Sequence, residues 1–153
     1  MFNLILFRPE IPPNTGNIIR LCANTGAGLH LIKPLGFALQ DARLRRAGLD
    51  YHEWAPVRQH DSLDDCLRVL CHPRLFALST HGQVVHSVPR FAPGDTFLLG
   101  PEGSGLPAEV LATVPADRVL RIPMRTAARS LNLSNAAAIV LYEAWRQLAA
   151  CRT

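Results

Sequence analysis

Three short stretches of the chain concentrate groups that can donate, accept or carry charge. Ser130-Leu131-Asn132-Leu133-Ser134-Asn135 places four polar residues in six positions at the start of a helical pattern. Capping a helix takes one side chain, accepting from the free N–H groups of the first turn, so this run exceeds what capping requires. Leu99-Gly100-Pro101-Glu102-Gly103-Ser104-Gly105 holds three glycines and a carboxylate, a bare backbone suited to a ligand recognised through main-chain groups. Pro9-Glu10-Ile11-Pro12-Pro13-Asn14 ends a strand and offers Asn14 as a helix N-cap, with Arg20 about one and a half turns further on. Amides, a hydroxyl, a carboxylate and a guanidinium can orient a reacting hydroxyl, hold a proton or stabilise developing negative charge. Each stretch alone also has a plain reading, as a cap, a turn or a surface arginine.

Alternating strands and helices must position these stretches. The pattern predicts strands at Asn3–Phe7, Leu29–Ile32, around Trp54–Val57, and at Leu75–Leu78, Thr96–Leu99 and Val119–Ile122. It predicts helices at Thr15–Asn24 (closed by Gly26), Asp41–Ala47, Leu63–Leu70, Ala108–Val114 and Asn132–Ala149. The last has the strongest stripe, with Leu133, Ala137, Val140, Leu141, Ala144 and Leu148 on one face. Alternation of this kind specifies an α/β fold, a mainly parallel sheet flanked by helices on both faces. Ligands of such sheets bind beyond the carboxyl ends of the strands. Three strand ends run into Leu78-Ser79-Thr80-His81-Gly82, the glycine loop and Ile122-Pro123-Met124, so the three loops are expected to converge on one pocket.

At 153 residues, 48% hydrophobic and 18% charged, the chain has the size and composition of one globular domain, residues 1–153. No apolar run approaches the ~20 residues that span a bilayer, and Met1–Arg8 reads as a first strand instead of a signal peptide. A cytoplasmic location without membrane contact is expected. The net charge is +4, and of 16 basic residues only Lys33 is lysine. Arginine matches phosphate and stacks on bases, although arginine-rich codon usage gives the same count. Arg43, Arg45 and Arg46 form one cluster; Arg118, Arg121, Arg125 and Arg129 form a second that leads into the Ser130 run. Either a polyanion footprint or a solvated face fits them.

Several chemistries are disfavoured. No P-loop pattern is present, and no G-x-G-x-x-G follows the first strand. Ser104 lacks the first glycine of a G-x-S-x-G elbow. Cys22, Cys66, Cys71 and Cys151 show no C-x-x-C spacing and read as buried or incidental thiols; with Cys71-His72 beside Cys66, the roughly four ligands of a zinc site are not supplied, so no metal is expected. His30, His52, His60, His72, His81 and His86 are scattered, and none forms a recognisable pair.

Taken together, Asn14-x-Gly16-x-x-x-Arg20, Leu99 to Leu106 as Leu-Gly-Pro-Glu-x-x-Gly-Leu, and Arg121-Ile122-Pro123-Met124 followed by Ser130 to Ala136 resemble the three motifs of the SPOUT class of RNA ribose methyltransferases. Order and spacing agree over nearly the whole chain, and the likeness is greatest to the small bacterial enzymes that methylate the ribose of the tRNA wobble nucleotide and lack an added RNA-binding domain. The resemblance implies a deep C-terminal trefoil knot, S-adenosyl-L-methionine as cofactor, a tRNA substrate and a homodimer with the active site near its interface. Carried over by position, Leu78, Thr80, Gly100, Glu102, Gly105, Ile122, Met124, Ser130 and Leu131 would bind the cofactor. Arg20, Asn14, Glu102, Ser130 and Asn132 would form the catalytic group.

The implied reaction is attack of a ribose 2′-hydroxyl on a sulfonium methyl, for which the protein aligns reactants and helps the hydroxyl lose its proton. Neutralising a guanidinium costs roughly 6 to 7 kcal/mol, whereas a fixed donor to a developing oxyanion contributes about 3 to 4 kcal/mol without that cost. Arg20 is therefore read as an electrostatic clamp on the 2′-oxygen or an adjacent phosphate, with the base unassigned. Asn14 would brace Arg20 or the ribose, and Ser130 and Asn132 would hold the cofactor loop and substrate. Glu102 is read as a carboxylate that orients these groups or faces the cationic cofactor, in preference to a helix N-terminal residue favoured by the dipole. Tyr142 and Trp145 are read as core or dimer packing, with base stacking reserved for exposed rings. A related enzyme for another tRNA or rRNA site, and a non-catalytic RNA-binding module, are the alternatives.

Overall fold

The computed structural model describes residues 1–40 and 57–150. The expected helix Asp41–Ala47, the cluster Arg43, Arg45 and Arg46, the start of the strand at Trp54 and Cys151 lie outside the described residues. The elements run β1 (Asn3–Phe7), α1 (Pro12–Thr25), β2 (Gly28–Ile32), β3 (Val57–His60), α2 (Leu63–Val69), β4 (Leu75–Leu78), β5 (Val84–Val85), β6 (Thr96–Leu99), α3 (Ala108–Leu111), a 3₁₀ turn (Ala116–Arg118), β7 (Val119–Arg121) and α4 (Leu133–Ala150).

The strands form one sheet in the order β3-β2-β1-β6-β4-β7-β5, and every pairing is parallel. Central β1 is buried on both faces. Leu4 and Leu6 point to one core, with Leu29, Leu31, Phe97 and Leu99. Ile5 and Phe7 point to the other, with Ile32, Ala77 and Leu98. Successive strand residues face opposite sides, so helices must cover both. α1 and α4 close the first core through Ile18, Ile19, Cys22, Ala137, Val140, Leu141 and Ala144. α2 and the segment around α3 close the second through Cys66, Leu106 and Val114.

The ends of the helices differ from expectation in instructive ways. α1 begins at Pro12, so Asn14 lies inside its first turn and is not its cap; Ile11 holds the N-cap position without a side-chain bond. Proline suits the first helical positions because its fixed φ is helical and its missing N–H is not needed there. Gly26 closes α1 at φ 71°, the left-handed conformation glycine adopts at least cost. The last helix starts one residue later than expected, with Asn132 before it. α3 is shorter than Ala108–Val114 because it unwinds after Leu111, and two-residue β5 has no alternation to announce it.

Two contacts tie the stretch between β5 and β6 to the rest. Gln147 on α4 donates from Nε2 to the Pro89 carbonyl at 3.1 Å and accepts from the Phe91 N–H at 2.9 Å. Asp95, almost fully buried, accepts from Arg74 Nε at 2.8 Å and the Ala92 N–H at 2.8 Å. A buried carboxylate persists only when paired in this way.

Candidate active site

A cavity of about 540 Å³ opens beyond the carboxyl ends of β4, β6 and β7, a size suited to a cofactor-sized ligand. Leu78 to His81, Leu99 to Leu106, Ile122 with Met124, and Arg129 to Leu133 line it, so the three loops do meet there. Asn14 of α1 closes one wall. Leu78, Thr80, Gly100, Glu102, Gly105, Ile122, Met124, Ser130, Leu131 and Asn132 all contribute to the lining. Ser79, His81 and Arg129 also line it; the sequence placed them in the converging loops and in the second arginine cluster without assigning them to the cofactor or the reaction.

The glycines of the middle loop are explained first by the loop itself. A Cβ on Gly100 would lie 2.3 Å from the Leu106 nitrogen and 2.4 Å from the Gly105 carbonyl carbon. Gly105 has φ +69°, and a Cβ on Gly103 would lie 3.1 Å from Glu10 Oε2. The bareness read as ligand recognition is thus needed for the loop to fold back on its own backbone. Gly82 shows the same economy against β7, where a Cβ would lie 2.6 Å from the Leu120 carbonyl carbon.

One hydrogen-bonded chain joins the glycine loop, the start of α1 and the Ser130 run. Glu102 Oε1 accepts from the Ile11 N–H at 3.0 Å and from Asn14 Nδ2 at 3.2 Å, and its Oε2 accepts from the Glu10 N–H at 2.7 Å. Asn14 Oδ1 in turn accepts from Asn132 Nδ2 at 2.8 Å. Asn132 Oδ1 caps α4 by accepting from the Ser134 N–H at 2.9 Å and the Ser134 hydroxyl at 2.6 Å. α1 has two prolines at its start and no cap of its own, so a carboxylate 91 residues away takes up the free N–H of its N-cap residue. Negative charge there is favoured by the positive end of the helix dipole. Glu102 therefore orients Asn14 and sits at a helix N-terminus at once, the two roles weighed separately from sequence.

Arg20 stands apart. Six residues along a helix advance about 9 Å and leave two side chains roughly 120° apart in azimuth, so Asn14 faces the cavity, nearly buried, while Arg20 is exposed and does not line it. The second arginine cluster also divides. Arg129 lines this cavity, whereas Arg118 lines a different one of about 410 Å³ with Asp64, His72 and Glu109.

Two other readings change. His30 and His60 do form a pair, Nδ1 to Nε2 at 2.9 Å, and among the described residues they meet buried Cys66, with donor atoms all within 4.8 Å. Adjacent parallel strands bring the two rings together, with Ile32 opposite His60, a proximity invisible in a scattered list of histidines. At 2.9 Å the two ring nitrogens are at hydrogen-bond distance, one ring donating its N–H to the other. Burial, the charge of His60 and that of Arg58 push His30 down to about 4, and burial pushes the Cys66 thiol up to about 12. Tyr142 and Trp145 are about half exposed and meet edge to face at 6.0 Å, so neither is a core residue.

Comparison with known proteins places this geometry. Residues 1–142 match the SpoU rRNA Methylase family. A tRNA (cytidine(34)-2′-O)-methyltransferase of Saccharophagus degradans is 58% identical over 148 residues, covering 97% of this chain and 96% of that one. The protein of the same name from Escherichia coli K12 is 56% identical over 148 residues, covering 97% and 94%. A solved structure described as giving insight into the 2-OH methylation of C/U34 on tRNA superposes with a TM-score of 0.91 at 48% identity, covering 98% and 97%. The SpoU methyltransferase AviRb of Streptomyces viridochromogenes, solved with AdoMet, superposes with a TM-score of 0.84 at 27% identity, covering 95% of this chain and 57% of that one.

Proposed function

The chain belongs to the SpoU rRNA methylase family, and on that premise we propose that it methylates the ribose 2′-oxygen of the tRNA wobble nucleotide, cytidine or modified uridine, using S-adenosylmethionine. The observation that carries this is the cavity at the strand ends, where the three motifs, at the start of α1, in the glycine loop and in the Ser130 run, are joined through Asn14, Glu102 and Asn132. The cavity suits the cofactor in chemistry as well as size. Leu78, Ile122, Met124 and Leu131 offer apolar surface for a purine, and the loop backbone with Ser130 offers polar partners. When bound, the cofactor supplies an activated methyl on a sulfonium centre.

The chain's own residues position and stabilise. Asn14, held by Glu102 on one side and Asn132 on the other, presents a fixed amide at the cavity wall, and such preorganisation lowers the barrier by sparing reorientation during reaction. Arg129 and His81 give the rim basic groups able to meet an RNA phosphate. Arg20 acts as an electrostatic clamp on the 2′-oxygen or an adjacent phosphate, reaching the site across a homodimer. Exposed Ile139, Tyr142 and Trp145 at three-residue spacing on α4 support that assembly, since an apolar stripe on a helix calls for a partner surface.

The reading also includes a single domain acting in the cytoplasm; among the described residues no helix is long and apolar enough to cross a membrane. It includes the C-terminal trefoil knot, supported by β7 lying between β4 and β5 and by α4 being hydrogen-bonded through Gln147 to Pro89 and Phe91 of the β5–β6 stretch. The test is nucleotide mapping of 2′-O-methylation in tRNA from cells lacking the gene and from the same cells complemented. Loss of the mark at the wobble ribose is expected, and an unchanged wobble ribose with loss elsewhere would transfer the activity to another RNA site. Absence of S-adenosylhomocysteine binding by calorimetry would leave only an RNA-binding module.

A further inference from the structure

We infer that Glu10 is a positioning residue for this reaction, its carboxylate clasping the cofactor-side loop to the start of α1 and so fixing Asn14 against the cavity. The inference rests on the function proposed above. Glu10 Oε2 accepts from the Gly103 N–H at 3.0 Å, while the Glu10 N–H donates to Glu102 Oε2 at 2.7 Å. The two glutamates therefore cross, each side chain bonded to the other's segment, 92 to 93 residues apart in sequence. Glu102 fixes its own side chain to the start of α1 through three bonds, and Glu10 adds a fourth in the opposite direction, to the loop backbone at Gly103, so the main chain of the loop is held as well as its side chain. The N–H groups of Gly103, Glu10 and Ile11 and the α1 dipole offset the repulsion between the two acids.

The far side of Glu10 is fixed too. Gly36 donates its N–H to the Pro9 carbonyl at 2.9 Å, and a Cβ on Gly36 would lie 2.9 Å from Glu10 Cα and 3.0 Å from its oxygen. The backbone of Glu10 is thus seated between a glycine on one side and the cofactor-side loop on the other. Glu10 itself is exposed and lies outside both cores, so its bonds serve the geometry of the site more than the stability of the fold. The Gly103 N–H is already engaged by Glu10, so removing Glu10 takes no hydrogen-bond donor away from the cavity.

Glu10→Ala, Glu10→Gln and Gly36→Ala are to be compared by turnover on tRNA, by calorimetry with S-adenosylhomocysteine, and by hydrogen exchange at the Gly103 amide. Glu10→Ala is expected to lose about tenfold or more in kcat, since small misplacements of reacting groups carry penalties of that order. Its affinity for S-adenosylhomocysteine should stay within about twofold while Gly103 exchanges faster. Glu10→Gln, whose amide oxygen still accepts from Gly103, should restore most of the rate. Gly36→Ala, which displaces the Glu10 backbone without altering its charge, should lower kcat in the same manner. Wild-type turnover in Glu10→Ala, or a Gln variant as poor as the Ala variant, overturns the positioning role. Should the wild type itself fail to methylate tRNA, the proposed function falls; the Gly103 amide then decides the clasp alone, and unchanged exchange in Glu10→Ala overturns it.

Discussion

Asn132 uses the two ends of one amide for two purposes. Its oxygen caps α4 and its nitrogen reaches Asn14, so substitutions can separate fold from site. Asn132→Ser keeps a good capping hydroxyl but cannot span to Asn14, and it should denature within about 0.5 kcal/mol of wild type while losing turnover. Asn132→Ala should lose both, with a stability cost of about 1 kcal/mol or more; equal turnover in the two variants and wild type would sever Asn132 from the site. His30 gives a prediction in pH. Its pKa falls from 6.5 to about 4 in the fold, so the unfolded chain binds more protons between those values and native stability drops as pH falls through that window. The contribution is fully present above 6.5 and shrinks by about 3 kcal/mol at pH 4, at about 1.4 kcal/mol per unit. Urea denaturation of wild type and His30→Gln across pH 4 to 7 should give a shallower curve for the variant, and parallel curves would refute the assignment.

Among the elements, the glycine loop and α4 behave differently under mutation. Gly100→Ala puts a Cβ 2.3 Å from backbone that cannot swing aside, so the loop must open and S-adenosylhomocysteine affinity should fall by more than about tenfold, with 1 to 3 kcal/mol of destabilisation. Gly105→Ala meets no atom within 4 Å but stays at φ +69°, costing only the left-handed strain of about 1 to 2 kcal/mol. Calorimetry and thermal melts on the pair check the contrast; identical affinity in both would mean that the loop seats no cofactor. α4 was fully legible because its stripe, Leu133 to Leu148, repeats at helical spacing and packs against the first core as that spacing requires. The start of α1 was not, because its cap is supplied by Glu102, 91 residues away, and no local pattern records a partner that far off.

At the scale of the whole molecule, the apolar side chains left outside are informative. Ile139, Tyr142 and Trp145 are exposed on α4, outside the face that packs into the core. Trp145→Glu should convert the proposed dimer to a monomer in sedimentation equilibrium and abolish turnover, with little change in far-ultraviolet circular dichroism. A variant that remains dimeric would move the interface elsewhere. Mixing Arg20→Ala subunits with Trp-intact subunits disabled at Asn132 should regain part of the activity if Arg20 serves across the interface, and no regain would confine it to its own subunit.

Read by itself, the sequence determined the longer strands and helices, the parallel α/β class, the loops that meet at the strand ends and the residue types along the cavity, while two-residue β5 escaped it. These depend on periodicity, on turn chemistry and on motifs short enough to be seen in one stretch. Tertiary structure alone decided which groups touch. It crossed Glu10 with Glu102, paired His30 with His60 through neighbouring strands, and split Arg118 from Arg129. Contacts between segments some 30 to 118 residues apart follow from strand order and from how the loops and helices pack on the sheet, which no local window of the chain contains.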